Sequence, residues 1–234
     1  MFQSKVNPEK RFGSIFVQRR YDYEKEKNKC RIWCIRHGQT ALDDLHRSDG
    51  WLDLPLNDEG RQNIVIALSK FLKKIPFTTI YAAPLRRTKE TAEILKSGIV
   101  SDPKVELVED AKTWNLGSLA GDPKKPNKSV VRDLIRHPSK AAPDGESYNE
   151  FMERFDAFLK KQQKEAAKDG PFLDVLSGSA CRRISEIIFR DRNELDIDEA
   201  GLFVLYVGDD GEWTAKVLDK KRDAKALQDN PEAS

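Results

Sequence analysis

Ile32-Trp33-Cys34-Ile35, running straight into Arg36-His37-Gly38-Gln39-Thr40, is the stretch on which the fold turns. The apolar run reads as a buried strand, and the polar residues after it read as the loop into which that strand opens. Open α/β sheets keep their chemistry at such strand ends. A neutral imidazole is a usable nucleophile near pH 7, and the adjacent guanidinium can clamp a phosphoryl group bidentately. Gly38 lets the backbone come close to a ligand. The combination points to a site that carries phosphate on a histidine.

Working outward, Asn57 can cap a helix in which Ile64, Leu68, Phe71, Leu72 and Ile75 recur at helical spacing. Residues 77–82 read as a second strand and 85–96 as a helix with Arg87 in its first turn. A short strand over 105–108 leads to the loop of Thr113 and Trp114. Pro123, Lys124, Lys125 and Pro126 mark an exposed connection. A cap-like excursion through Val130, Leu134 and His137 then lies over the site until Pro138 breaks it. Near Ser147 a helix starts whose Tyr148, Phe151, Met152, Phe155, Phe158 and Leu159 form one apolar stripe.

Residues 171–176 read as a central strand. Ser177-Gly178-Ser179 opens a helix carrying Ile184, Ile187 and Ile188, so its first N–H groups point at whatever sits above the strand end. Strands over 202–207 and 212–218 flank Asp209-Asp210-Gly211 as a terminal hairpin. The main domain therefore spans 30–219, and the charged, unpatterned residues 220–234 are expected to be disordered. Residues 1–29 carry Phe2, Phe12, Ile15, Phe16, Val17 and Tyr21 among their charges, more apolar content than a solvated tail needs. They are expected to form an arm that docks on the domain or, in an oligomer, on a partner.

The chain has 234 residues, enough for one sizeable core, and a formal net charge of +2. Nearly balanced charges supply no field for nucleic acid or a membrane surface. The three cysteines, Cys30, Cys34 and Cys181, are too few for a disulfide framework or a zinc site, which implies a reducing, cytoplasmic setting. No apolar run is long enough to span a bilayer, and the first residues hold no signal-peptide core.

Further segments fall in order behind the first: Gly50-Trp51-Leu52-Asp53-Leu54-Pro55-Leu56-Asn57, then Ala82-Ala83-Pro84-Leu85-Arg86-Arg87-Thr88-Lys89-Glu90-Thr91-Ala92. Leu116-Gly117-Ser118-Leu119-Ala120-Gly121 and Pro143-Asp144-Gly145-Glu146-Ser147 continue the series. From Cys30 to Leu218 the chain resembles the histidine phosphatase superfamily, the phosphoglycerate-mutase-like group. The motifs of that group are Arg-His-Gly-X-Thr, Asp-X-Pro-Leu-(Thr/Asn)-X-X-Gly and Ser-X-Leu-X-Arg-Ala-X-Gln-Thr-Ala. The resemblance implies an α/β/α three-layer sandwich with a mainly parallel sheet. It also implies hydrolysis of a small phosphorylated compound through a phosphohistidine, with neither metal nor cofactor. On that basis His37 takes the phosphoryl group and Arg36 and Arg87 hold it, while Gly38, Thr40, Asp43, Arg47, Ser177 and Gly178 line the pocket. A mutase is disfavoured, because the short connection over 121–143 offers little to retain a phosphorylated intermediate.

The chain departs from the family at two catalytic positions. The family's second histidine falls on Ser177, and its proton-donating glutamate, four positions before the glycine equivalent to Gly117, falls on Thr113. An enzyme without that acid can still hydrolyse acyl, aryl or phosphoramidate substrates, whose leaving groups depart unprotonated. Otherwise Asp110, Glu109, Glu146 or His46 could take the acid role, although Glu146 with Ser147 reads better as a cap of the long helix. The rival expectation is an inactive pseudo-phosphatase that grips phosphate as a binding or interaction module.

Overall fold

The computed structural model describes residues 31–166, 171–207 and 212–218; the expected arm at 1–29, the hairpin tip at 209–211 and the tail at 220–234 lie outside them. In chain order the elements are β1 (Arg31–Arg36), α1 (Ala41–Asp44), α2 (Asp58–Ala67), β2 (Thr79–Ala82), α3 (Arg86–Gly98) and β3 (Lys104–Leu107). They continue with α4 (Lys124–Arg136), α5 (Tyr148–Ala166), β4 (Phe172–Leu176), α6 (Gly178–Phe189), β5 (Leu202–Val207) and β6 (Trp213–Val217).

One six-stranded sheet runs in the order β3-β2-β4-β1-β5-β6. The first four strands in that order are parallel, and β5 and β6 add antiparallel pairings at one side. Successive side chains of a strand point to opposite faces, so β1 feeds two cores. Ile32 and Cys34 join Phe151, Phe155, Phe158 and Ile184 from α5 and α6. Trp33 and Ile35 join Ile64, Ala92 and Leu95 from α2 and α3. The α/β/α layering follows from that division. The Phe151 and Phe155 rings stack 5.7 Å apart and are fully buried, so truncating either to alanine should cost about 3–5 kcal/mol.

This arrangement places the site. Strands β1 and β4 are parallel neighbours, yet β1 leads to α2 on one face and β4 leads to α6 on the other. Where such chains part, a crevice opens at the strands' C-terminal ends. His37 N donates to Leu176 O at 2.9 Å, so the residues after β1 and β4 leave the sheet side by side.

The expected elements are found, with corrections. Pro123 to Pro126 is no connection but the start of α4, whose N-cap is Pro123. Proline is tolerated in a first turn because the N–H it lacks would have no helical partner there. α2 widens at its end into a π-turn over Leu68–Leu72, closed by Lys73 N to Leu68 O at 3.0 Å. The cap of α5 uses Ser147 with Glu150, not Glu146: Ser147 N donates to Glu150 Oε2 at 2.7 Å and Glu150 N to Ser147 Oγ at 3.2 Å. Asp174, mid-strand in β4 beside Cys34, is wholly buried and neither carboxylate oxygen has a hydrogen-bond partner. Burial holds its carboxyl well above the usual range. Among the described residues no helix is long and apolar enough to cross a membrane.

Candidate active site at the ends of β1 and β4

His37 is 2% exposed and its Nδ1 lies 2.8 Å from the Gly38 carbonyl oxygen. A carbonyl can only accept, so Nδ1 carries the ring proton and Nε2 keeps its lone pair. Burial, and then the charges of Arg87 and Arg36, lower the imidazole pKa from 6.5 to about 3. The ring is therefore neutral at physiological pH and needs no base to become a nucleophile. Its loop is fixed from behind. Gly38 N donates to Thr91 Oγ1 at 3.2 Å, and a Cβ on Gly38 would meet Gly60 O at 2.7 Å. Only a glycine lets the loop lie this close to the first turn of α2.

The two motif arginines take different anchors. Arg36 donates through Nη1 to Ile197 O at 2.8 Å and through Nη2 to Glu199 Oε1 at 2.5 Å. Its guanidinium covers Gly178, where a Cβ would stand 3.3 Å from Cζ. Arg87, 1% exposed, donates to Gly50 O at 2.7 Å and Leu52 O at 2.9 Å. Two carbonyls hold this cation rather than a close carboxylate. The Nε–H of both arginines is buried without a hydrogen-bond partner.

Around them stand carboxylates. Thr40 caps α1 and its Oγ1 lies 3.1 Å from Asp43 Oδ2 and 2.9 Å from Asp49 Oδ1. Asp43 also takes the Thr40 N–H at 3.1 Å and Lys124 Nζ at 3.2 Å, with Arg36 Nη2 at 3.9 Å. Burial alone would raise the Asp43 carboxyl; its interactions with His37, Lys124, Arg36 and the Thr40 amide outweigh that and hold it below its ordinary value. For Asp49 the balance falls the other way, since burial and then the charge of Asp43 raise its pKa against Arg87. Arg47 turns to the carbonyl of Gly121 at 2.8 Å, on the exposed side of the loop.

The two departed positions meet on the β4 side. Ser177 caps α6, accepting from Ala180 N at 3.3 Å, and its Oγ lies 3.2 Å from Ser179 Oγ. Ser179 Oγ lies 2.5 Å from Thr113 Oγ1 and accepts from Trp114 N at 3.2 Å. A chain of three hydroxyls thus joins the positions where the resemblance expects a histidine and a glutamate. The Thr113 carbonyl is pinned by Trp51 Nε1 and by Arg154 Nη2, each at 2.7 Å.

The four groups considered from the sequence for the acid role are either committed elsewhere or exposed. Glu146 is bound by Arg154 and by Asn115 N at 2.7 Å. Glu109 and Asp110 are exposed, Glu109 pairing with Lys112, and His46 is exposed on a turn with φ of 53°. Sequence reasoning missed Asp49, Lys124, Ser179 and Glu199. The first lies one residue before a recognised motif, while Glu199 reaches Arg36 across 163 positions with no local pattern to announce it. Among the described residues no group of three or more His, Cys, Asp or Glu side chains could hold a metal ion.

Comparison with known proteins adds a family to this geometry. Residues 32–220 match the family model described as the histidine phosphatase superfamily (branch 1). The chain is 30% identical over 131 residues to fructose-2,6-bisphosphatase TIGAR B of Danio rerio, covering 54% of this chain and 50% of that protein. It is 26% identical over 136 residues to the probable phosphoglycerate mutase GpmB of Escherichia coli, covering 56% and 61%. The chain thus spans about half to three-fifths of the curated relatives it matches. A crystal structure of phosphoglycerate mutase from Bacillus anthracis str. Sterne superposes with a TM-score of 0.68 at 25% identity, over 83% of this chain and 95% of that one.

Proposed function

The chain belongs to the histidine phosphatase superfamily, and from that premise we propose that it hydrolyses a small phosphorylated compound through a phosphohistidine formed on His37. The observation that carries the reading is the state of that imidazole. It is buried, neutral, and fixed by the Gly38 carbonyl in the tautomer that bares Nε2, with two arginines beside it. The names of the relatives, a fructose-2,6-bisphosphatase and phosphoglycerate mutases, support phosphate chemistry on a small molecule.

In the first step Nε2 attacks phosphorus in line with the departing oxygen, the P–N bond forming as the P–O bond breaks. Arg36 and Arg87 hold the equatorial oxygens through N–H groups still free to donate. Water then attacks the phosphohistidine, the P–N electron pair returns to Nε2, and inorganic phosphate leaves. No step passes through a metal or a cofactor. Hydrolysis is preferred over a mutase reaction because the connection over 121–143 holds one helix, α4, and little else to retain an intermediate. The unpaired state of Cys34 and Cys181 supports a reducing, cytoplasmic setting.

A second reading is favoured by one observation. The arginines and Lys124 stand among Asp43, Asp49 and Glu199, and hydroxyls fill the departed positions. A phosphate-binding module without turnover would have such a centre. Intact-protein mass spectrometry after exposure to an aryl phosphate decides between them. Acid-labile phosphate on His37 is the expected result, and vanadate binding without any phosphoryl adduct would install the second reading.

A further inference from the structure

The Thr40 hydroxyl has one proton and two carboxylates to serve. Its oxygen lies 3.1 Å from Asp43 Oδ2 and 2.9 Å from Asp49 Oδ1, both within hydrogen-bond distance. If both carboxyls were ionised, one of these contacts would set lone pair against lone pair. The arrangement is satisfied when one carboxyl carries a proton of its own and donates it to Thr40 Oγ1. Asp43 is the ionised partner, since a backbone amide and Lys124 Nζ already donate to it. Asp49 has no comparable donor, its nearest cation being Arg87 Nε at 3.9 Å. The proton therefore belongs on Asp49.

Resting on the hydrolase reading above, we propose that Asp49 is the proton donor to the leaving group, doing from the β1 side what Thr113 cannot do from the other. In the first half-reaction the P–O electron pair passes to the leaving oxygen, which takes the Asp49 proton and departs as an alcohol. Phosphohistidine and the Asp49 carboxylate remain. In the second half that carboxylate takes a proton from the attacking water, the P–N pair returns to His37, and Asp49 regains its acid form. Protons balance over the cycle. The groups facing Asp49 agree with the assignment: burial and Asp43 raise its pKa, opposed by Arg87, by the Thr40 hydrogen bond and by Lys124. Charge agrees as well. Arg36, Arg87 and Lys124 are matched by Asp43, Glu199 and an ionised Asp49, so a dianionic phosphate is accommodated best when Asp49 is neutral.

Two carboxyls with pKa values pushed apart divide the roles of acid and fixed anion. The test is the dependence of rate on the leaving group in Asp49→Asn, with folding checked by near-ultraviolet circular dichroism. Turnover of an alkyl phosphate should fall roughly 10²–10⁴-fold, while that of 4-nitrophenyl phosphate, whose phenolate leaves unprotonated, should fall less than about tenfold. In the unaltered protein the alkyl rate should decline as pH rises through the Asp49 pKa, and the aryl rate should not. Equal losses on both substrates, or no loss on either, would overturn the assignment while phosphate on His37 still stands. Absence of that adduct in the unaltered protein would bring down the hydrolase reading, and this assignment with it. If Asp49→Asn does not fold, the pair of pH profiles decides, parallel profiles overturning the proposal.

Discussion

The two sides of the crevice are built from different materials. On the β1 side stand charged and titratable groups, His37, Arg36, Asp43 and, through the loop to Trp51, Asp49 and Arg87. The β4 side holds Ser177, Ser179 and Thr113, small hydroxyls bound to one another. Hydrogen bonds hold both sides in place. The contrast teaches that one wall can offer a phosphate charge and a nitrogen lone pair, while the other offers it hydroxyls alone.

The largest effect should come from the β1 side. His37→Ala is expected to reduce phosphoryl transfer by roughly 10⁴–10⁶-fold and to abolish the acid-labile adduct, with the melting curve at pH 7 little changed. Turnover equal to that of the unaltered protein would show that the two sides do not differ as described. Acid is the next lever. Because the folded His37 pKa lies near 3 and the unfolded value near 6.5, the unfolded chain binds more protons between them. Stability from this group is present above pH 6.5 and lost as pH falls toward 3, by about 1.4 kcal/mol per unit and on the order of several kcal/mol in all. His37→Asn should therefore lose less stability than the unaltered protein between pH 7 and pH 4, measured by urea unfolding.

Refitting the β4 side should have a smaller effect. Ser177→His with Thr113→Glu is expected to raise turnover of alkyl phosphates on the order of 10²-fold and that of aryl phosphates less. No gain on either class, in a folded protein that still binds vanadate, would mean that the crevice itself has changed shape. The smallest expected effect belongs to Ser177→Ala. Removing the cap of α6 should lower stability by about 1 kcal/mol and leave the His37 adduct unchanged.

How much of this could be read from the sequence depends on distance along the chain. The run from Ile32 to Thr40 shows its own strand and loop, but what its histidine is for is decided only by the motifs spaced behind it. Arg87 was legible because a motif surrounds it. Helix α4 was hidden by its prolines, which mark loops more often than helix starts. Glu146 was misassigned because two glutamates lie within capping reach of Ser147, and only the fold brings Arg154 to one of them. The Thr113–Ser179 contact spans 66 positions and joins two loops, so neither residue signals its partner. Asp49 lies one residue outside a motif, and its contact with Thr40, nine positions back, leaves no local pattern.

The burial of Cys34 and Cys181 has a kinetic consequence. Burial keeps both thiols protonated, Cys34 well above its ordinary pKa with Asp174 and Cys181 adding to the effect, and Cys181 at about 11. An alkylating reagent finds neither sulfur while the sheet is closed. Cys34 sits in the strand paired on both sides, by β4 and by β5, so its alkylation requires the centre of the sheet to part. The rate at which Cys34 takes up label therefore counts openings of the whole domain. Compared with labelling of Cys181 on α6, it would show whether that helix lifts from the sheet before the strands separate or only with them.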